Sequence, residues 1–289
     1  MNLKELKKLW EEAGFGPLKS LGQNFLVDNN VKEKIISLLP YSGEDTVVEI
    51  GPGFGSMTFS LARSCRRLVA VEKDARICGL MAPMFREVGN IDLVSRDILK
   101  TDIAEIASGG KVHVYGNIPY YISSPIIEHL ISNRDHIKRI YLMVQEEFAD
   151  RIVAPPGSRT YGSLSCFVQF YTKPAKVMRI SRNCFSPRPK VDSALLEMDI
   201  PASPRVGTKD ETTMFCLIRK AFSQRRKKMI NPLSGWKEAG LSRVEWENIF
   251  HECGIDPGNR AEHLSLEEFA RISDKLVDIR GSMGREQVN

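Results

Sequence analysis

The sequence has no C-x-x-C pair, no long apolar run and no large excess of charge of one sign. Its six cysteines are scattered without histidines at ligand spacing, which argues against a zinc site or a disulfide framework and favours a reducing, cytoplasmic location. No stretch approaches the roughly 20 apolar residues of a membrane helix, and the charged N-terminus lacks the apolar run of a signal peptide, so we expect no membrane partner. A net charge of +5 permits an acidic partner such as nucleic acid without requiring one.

The composition is that of an ordinary soluble protein, with 289 residues of which 42% are apolar. From Asp45 onward, short apolar runs alternate with helix-length amphipathic segments, a pattern typical of βαβ units and a parallel sheet with helices on both faces. The runs cover 46–50, 67–72, 91–95, 111–116 and 139–145. Two more runs, 175–181 and 192–200, flank a proline-rich loop and predict an antiparallel pair that closes the sheet. The predicted fold class is therefore α/β with a Rossmann-like sheet.

A polar segment rich in proline, glycine and serine follows Ile200 and predicts a linker. Only helical patterns lie beyond it, over 211–222, 224–233, 242–252 and 265–280. We therefore predict two domains, with the α/β domain at 1–203 and a small all-helical domain at 204–289. Helical spacing also predicts helices before residue 40, one over Leu3–Trp10 and one after a cap at Asp28. No exposed apolar seam is evident, so we expect a monomer.

The first strand runs into a glycine turn, EIGPGFG at 49–55, and then a helix. Glycines at Gly51 and Gly53 let the backbone approach a ligand closely, so this turn is typical of a nucleotide-cofactor site. Glu72 ends the next strand, 21 residues after Gly51, which suits an acceptor for ribose hydroxyls. Asp97 ends the third strand and could accept from an adenine amino group. The alternative is a tight turn followed by two unrelated acidic residues.

The spacing of these glycines bears on the cofactor. The turn reads G-x-G-x-G and not G-x-G-x-x-G, so a pyrophosphate fits it less naturally. A sulfonium cofactor has no phosphate to bind, yet its adenosine still needs the two acidic partners. The turn therefore favours S-adenosylmethionine over NAD.

The fourth strand ends in the tetrapeptide NIPY, at the sheet edge where α/β folds bind ligands. The exocyclic nitrogen of adenine is a poor nucleophile, and two acceptors aimed at its N–H groups would localise its lone pair. The Asn117 side chain and the Ile118 backbone supply such acceptors, while Pro119 stiffens the loop and has no competing N–H. Tyr120 offers a ring on which an extruded base can stack. A sulfonium is already activated, so no metal is needed; the alternative is an ordinary turn.

Phe185 lies in the proline-rich loop between the last two strands. One interpretation is a second aromatic ring that closes over the other face of the target base. The other is a core phenylalanine that anchors the loop. The sequence alone favours neither.

A basic run stands at the start of the predicted helical domain, with six cations in the ten residues 219–228. No acid occurs between Arg219 and Lys237 to form i, i+4 pairs, so an anionic partner is favoured over a solvated helix face. We therefore predict RNA contacts from Arg225, Arg226, Lys227 and Lys228.

Several motifs occur together along the chain. They are LGQNFL (21–26), EIGPGFG (49–55), VEKD (71–74), RDIL (96–99), NIPYYISSPII (117–127), MVQEEFADRI (143–152), YGSLS (161–165), FSPRPKVDSAL (185–195), FSQRRKK (222–228) and RAEHLSLEEFARIS (260–273). From about Leu18 to Ser273 the chain resembles the bacterial small-subunit (16S) ribosomal RNA adenine N6,N6-dimethyltransferases, which are relatives of the erythromycin-resistance methyltransferases. Arg96 departs from the pattern, where a glycine is frequent.

The resemblance implies a cofactor site and a substrate. Asn24 and Leu26, in a segment that would otherwise read as a polar turn, would bind the cofactor. The resemblance completes that site with four residues, Gly51, Glu72, Asp97 and Asn117. The implied substrate is two adjacent adenines in the 3′-terminal hairpin of small-subunit RNA, each dimethylated on a late 30S assembly particle.

Other functions stay open at this point. The nearest is a large-subunit (23S) adenine methyltransferase of the resistance type, although the tail at 260–273 resembles the small-subunit branch. A second is an RNA-binding assembly factor with dispensable catalysis. A nicotinamide oxidoreductase is disfavoured by the glycine spacing, and a DNA adenine methyltransferase by the two-domain layout.

Overall fold

The structure is a computed structural model that describes the backbone of residues 23–286 and the side chains of residues 23–280. The helix predicted over Leu3–Trp10 lies outside the described residues. The chain divides into two compact units, the first comprising the residues up to Ala149 together with 173–200. The second unit comprises 150–172 together with the residues from Pro201 onward.

The first unit is built on a sheet of seven strands within the described residues, in the order β4-β3-β2-β5-β6-β9-β7. These strands are β2 (Thr46–Ile50), β3 (Arg67–Glu72), β4 (Ile91–Ser95), β5 (Val112–Asn117), β6 (Ile137–Gln145), β7 (Lys173–Ile180) and β9 (Ser193–Asp199). The strands from β4 to β6 run parallel, and β9 pairs antiparallel with both β6 and β7. The predicted α/β fold and its antiparallel closing pair are therefore confirmed.

Two short strands form a separate antiparallel ladder. β1 (Phe25–Leu26) pairs with β8 (Phe185–Ser186), so the segment before the first helix is joined to the proline-rich loop.

Of the described helices of the first unit, one precedes the parallel strands and four connect them. They are α1 (Asn29–Leu38), α2 (Thr58–Ala62), α3 (Ala75–Val88), α4 (Ile103–Ala107) and α5 (Ser123–Ser132), while α6 (Glu146–Val153) runs from the first unit into the second. The predicted cap is confirmed, because the Asp28 side chain accepts the N–H of Val31 at 3.1 Å. In α3 the buried Ile77, Met81 and Phe85 recur every four residues and form its core-facing stripe.

The central strands are buried on both faces, as the continuous apolar runs predict. Every residue of β2 is buried, and Val114 of β5 has no exposed surface. Because β2, β3, β4 and β5 are parallel, their carboxyl ends meet along one edge of the sheet. The glycine turn, Glu72, Asp97 and NIPY all follow these ends, so the fold brings them to the same edge.

The second unit contains helices throughout its described part. They are α7 (Ser163–Tyr171), α8 (Glu211–Ala221), α9 (Ile230–Ser234), α10 (Arg243–Glu252) and α11 (Leu266–Glu286). The prediction ended the first domain at residue 203, whereas the compact units group 150–172 with the C-terminal helices. The physical reason is an aromatic cluster, in which the rings of Phe167 and Phe170 lie 5.4 and 5.2 Å from the ring of Phe215 on α8.

The helix predicted over 224–233 is much shorter in the structure and begins only at Ile230. Residues 225–228 lie outside the helices, where four consecutive like charges do not have to share a helix face. None of the described helices is both long and apolar enough to cross a membrane.

A buried carboxylate stabilises the edge of the sheet opposite the glycine turn. Asp45 accepts hydrogen bonds from the N–H of Ser42 at 2.9 Å, its hydroxyl at 2.7 Å and the Lys138 ammonium at 2.7 Å. His113 Nε2 lies 3.5 Å from the same carboxylate. Burial alone would raise the pKa of Asp45, but the hydrogen bonds from Lys138 and Ser42 outweigh it and hold the pKa well below its ordinary value.

We predict that Asp45→Asn lowers the free energy of unfolding at neutral pH by about 1–3 kcal/mol, because charge-assisted hydrogen bonds are lost. The folded pKa lies below the unfolded value of about 4, so this stabilisation is fully present above pH ~4 and is lost as the pH falls through the folded pKa. Urea denaturation of both proteins should therefore show the stability difference shrinking in acid. Asp92→Asn, which removes the exposed pair with Arg67, is the control; an equal loss there would contradict the prediction.

Candidate active site

The glycine turn after β2 has the left-handed backbone that its sequence predicts. The φ angles are +68° at Gly51, +54° at Gly53 and +75° at Gly55. A Cβ atom at Gly53 would lie 2.8 Å from the Phe25 ring, so a side chain has no room there. The absence of a side chain at Gly53 therefore lets the Phe25 ring pack directly against the turn.

Glu72 is tied to the glycine turn. One carboxylate oxygen accepts the N–H of Gly53 at 3.2 Å, and the other accepts the N–H of Asp74 at 2.9 Å. The residue is 8% exposed, and burial raises the pKa of its carboxyl above the ordinary value. A carboxylate oxygen has a second lone-pair direction, so Glu72 retains acceptor capacity for a ligand hydroxyl.

Asp97 follows β4 and lies in a different electrostatic environment. Lys73 Nζ is 2.8 Å from one carboxylate oxygen, and the N–H of Leu99 donates to the other at 3.1 Å. Burial by itself would raise the pKa of Asp97, but the hydrogen bond from Lys73 and that from Leu99 outweigh it and lower the pKa. Asp97 is therefore ionised at neutral pH and is an acceptor.

Asn117 at the end of β5 is oriented by a residue far away in sequence. Its Nδ2 donates to the backbone carbonyl of Asn24 at 2.8 Å, across a separation of 93 residues. Because a carbonyl is only an acceptor, this bond fixes which end of the Asn117 amide is the NH₂ group. The Asn117 side-chain oxygen is left as an acceptor on a side chain that lines the same cavity as the glycine turn.

One cavity joins these features. Of the residues predicted for cofactor and catalysis, it is lined by Asn24, Gly51, Gly53, Glu72, Asp97, Asn117, Ile118, Pro119 and Tyr120. Within the described residues, no cluster of three or more His, Cys, Asp or Glu side chains is arranged to hold a metal ion. The cavity thus brings together the acceptors that an adenosine requires and those that an adenine amine requires.

Two predicted site residues do not line this cavity. Leu26 and Phe185 are 2% and 4% exposed, and they are direct partners in the β1–β8 ladder. Both belong to the hydrophobic core of the first unit. The position of Phe185 therefore agrees with the second interpretation, in which it is a core residue that anchors the proline-rich loop. It does not agree with the first, in which its ring closes over a base. Its ladder directs it inward, which the sequence does not reveal.

Sequence reasoning missed several other residues of the cavity wall, including three that are polar or aromatic. Lys73, Arg96 and Tyr121 line it, and Tyr121 is 61% exposed. The positions of Lys73 and Arg96 next to the strand-end acids, and of Tyr121 next to NIPY, were signals that could have found them.

The predicted basic run divides into two parts in the structure. The Arg225 guanidinium donates to the backbone carbonyls of Arg159 at 2.7 Å and Tyr161 at 3.0 Å, and lies 3.5 Å from the Glu262 carboxylate. Arg225 therefore has partners inside the second unit. Arg226, Lys227 and Lys228 are exposed, and within the described residues their side chains form no ion pair or hydrogen bond. They keep their charge available to an anion.

Comparison with known proteins identifies the family. The sequence profile described as ribosomal RNA adenine dimethylase matches residues 17–278. The chain belongs to this family. The family predicted from the motifs is therefore confirmed.

Named relatives match the chain over nearly its whole length. It is 39% identical to the ribosomal RNA small subunit methyltransferase A of Clostridium botulinum (strain Loch Maree / Type A3), covering 96% of this chain and 100% of the relative. It is also 39% identical to the protein of the same name from Geobacillus sp. (strain WCH70), covering 94% of this chain and 96% of the relative.

Solved structures resemble it too. The crystal structure of a dimethyladenosine transferase from Plasmodium falciparum has a TM-score of 0.68 and 26% identity, covering 86% of this chain and 95% of that chain. The structure of 23S rRNA methyltransferase ErmE has a TM-score of 0.69 at 22% identity, covering 88% and 99% of the two chains, which shows the shared fold.

We predict that Gly53→Ala lowers the free energy of unfolding by about 1–3 kcal/mol, because an L-residue is strained at this φ and its Cβ would press on the Phe25 ring. Gly79→Ala in α3 is the matched control, since a Cβ there meets nothing within 4 Å. That variant should gain up to about 1 kcal/mol from helix propensity. Denaturation curves that rank the two variants in the opposite order would contradict this account of the turn.

Proposed function

We propose that this chain transfers methyl groups from S-adenosylmethionine to N6 of two adjacent adenines in the 3′-terminal hairpin of small-subunit (16S) ribosomal RNA, giving N6,N6-dimethyladenines. The proposed substrate particle is a late 30S assembly intermediate, which implies action in the cytoplasm, and the proposed working form is a monomer. The observation that carries the proposal is that one cavity joins a glycine turn, two acidic strand ends and an oriented asparagine.

The cavity residues fit the proposed cofactor. Gly53 lets the Phe25 ring pack directly against the glycine turn, Glu72 has capacity to accept from ribose hydroxyls, and Asp97 is an ionised acceptor for an adenine amine. Asn24 and Gly51 line the remaining wall. When bound, the cofactor would supply a methyl group bonded to a positively charged sulfur, and that sulfur would leave as a neutral thioether. No metal is required for such a transfer.

The proposed catalytic contribution of the protein is orientation and charge complementarity. The side-chain oxygen of Asn117 and the backbone oxygen of Ile118 accept the two N–H groups of the target amine, so its lone pair is drawn out of the ring. Pro119 contributes no N–H that would compete for these acceptors. The Tyr120 ring stacks on the extruded base and holds it in line with the methyl group.

The small-subunit substrate is favoured over the large-subunit alternative by the relatives named above, at 39% identity, and by the tail at 260–273. Docking to RNA is assigned to Arg226, Lys227 and Lys228. We assign Arg225 a supporting role, because its contacts with Arg159 and Glu262 hold this segment in place. An assembly factor with dispensable catalysis would share the docking residues but would not need an oriented Asn117.

We predict that Asn117→Ala reduces methyl transfer by about 10²–10³-fold, the usual loss when one oriented polar group is removed. The assay incubates unmethylated small subunits with labelled S-adenosylmethionine and maps the modified nucleosides. Binding of the variant to the particle should be close to that of wild type. Asn133→Ala, at the end of α5, is the matched control and should keep full activity. A rate for Asn117→Ala within a few-fold of wild type would show that the acceptor role is misassigned.

We predict that the logarithm of the association constant for RNA falls against the logarithm of the salt concentration with a slope of about −3 to −5. Replacing Arg226, Lys227 and Lys228 by Gln should make this slope shallower by about 2–3. The control triple variant removes three cations of the second unit that are already in ion pairs, namely Lys209, Arg243 and Lys275. A filter-binding salt series should change much less for this control. Equal changes in the two triple variants would remove the basic run as a specific RNA contact.

A further inference from the structure

The Tyr120 hydroxyl is tethered to β9, which lies two strands along the sheet from β5. It lies 2.6 Å from the hydroxyl of Ser193, a residue 73 positions later in the chain. Ser193 has no exposed surface and does not line the cavity, whereas Tyr120 does. The hydroxyl end of the Tyr120 ring, which lines the cavity, is therefore held by the buried Ser193 hydroxyl, which no ligand can reach.

The backbone of Ser193 is fixed by its place in the sheet. Ser193 is the first residue of β9 and pairs with Gln145 on β6 and with Ile180 on β7. The side-chain carboxylate of the neighbouring Asp192 accepts from the Arg179 guanidinium at 2.8 Å. The backbone carbonyl of Asp192 accepts the N–H of Glu146 at 3.0 Å. The backbone that carries this hydroxyl is therefore held from both sides, which makes Ser193 a rigid anchor.

The inner end of the Tyr120 side chain is also fixed. Pro119 precedes it with φ of −60°, and the backbone carbonyl of Tyr120 accepts from the Ser123 hydroxyl at 3.1 Å. The loop thus sets where the ring begins, and the bond to Ser193 sets where it ends. An aromatic side chain has two rotatable bonds, and the second tether selects one orientation among those that the loop permits.

We infer that Ser193 is a positioning residue for methyl transfer, because it holds the Tyr120 ring in the orientation in which an extruded adenine stacks. This inference rests on the proposed function. Ser193 touches neither substrate nor cofactor, and it acts only through Tyr120.

The test is a double-mutant cycle on the rate of methyl transfer to small subunits. Ser193→Ala and Tyr120→Phe each remove the same hydrogen bond while the ring is retained, so each should lower kcat by about 5–20-fold. The double variant should be no slower than the slower single variant, because both changes remove one interaction. The KM for S-adenosylmethionine should not change. Wild-type kcat in Ser193→Ala, or losses that multiply in the double variant, would overturn the inference.

Ser123→Ala is the matched control, since this buried serine contacts the backbone of the same tyrosine. Tyr120→Phe keeps the bond between Ser123 and the Tyr120 backbone. Any loss of kcat caused by Ser123→Ala should therefore multiply with the loss caused by Tyr120→Phe. A second measurement does not depend on activity: a crystal structure of Ser193→Ala should show the Tyr120 ring in an additional rotamer. An unchanged Tyr120 ring in this variant would overturn the inference. If the ring moves in Ser193→Ala but the wild-type protein does not methylate small subunits, only the proposed function would be refuted.

Discussion

The arrangement of the candidate site depends on one hydrogen bond, from Nδ2 of Asn117 to the backbone carbonyl of Asn24. An asparagine amide has a donor end and an acceptor end, and either end fits the same space. The carbonyl of Asn24 can only accept, so it fixes the donor end and leaves the oxygen for a ligand. If the amide were reversed, it would present N–H groups to the N–H groups of an adenine amine. The bond also joins the segment before α1 to the end of β5, so both walls of the cavity are held together.

The parallel sheet makes the rest of the site possible. The carboxyl ends of β2, β3, β4 and β5 meet at one edge, and each is followed by a different chemical group. Glu72 and Asp97 are both carboxylates, yet burial raises the pKa of the first, while the ammonium of Lys73 helps to lower the pKa of the second. Two acceptors of different character at neighbouring strand ends match the two ends of an adenosine, its ribose and its base. The same fold with other strand-end residues would have no such preference.

Much of this arrangement could be predicted from the sequence because it depends on local order. Strand periodicity, the Asp28 cap and the glycine spacing are properties of adjacent residues, and strand ends in a parallel sheet are neighbours by topology. The environment of Phe185 could not be predicted, since it depends on pairing with Leu26 across the whole first unit. For the same reason the partners of Arg225 were missed: its acidic neighbour is Glu262, which is remote in sequence. The link between Tyr120 and Ser193 is likewise a consequence of sheet register, which periodicity does not encode.

The most direct test of the account is a crystal structure of the protein with S-adenosylhomocysteine and adenosine bound. We expect the adenosine N6 to lie about 3 Å from both the Asn117 side-chain oxygen and the Ile118 carbonyl, with the Asn117 NH₂ still bonded to Asn24. A base bound elsewhere, or an Asn117 amide turned so that its NH₂ faces the amine, would contradict it.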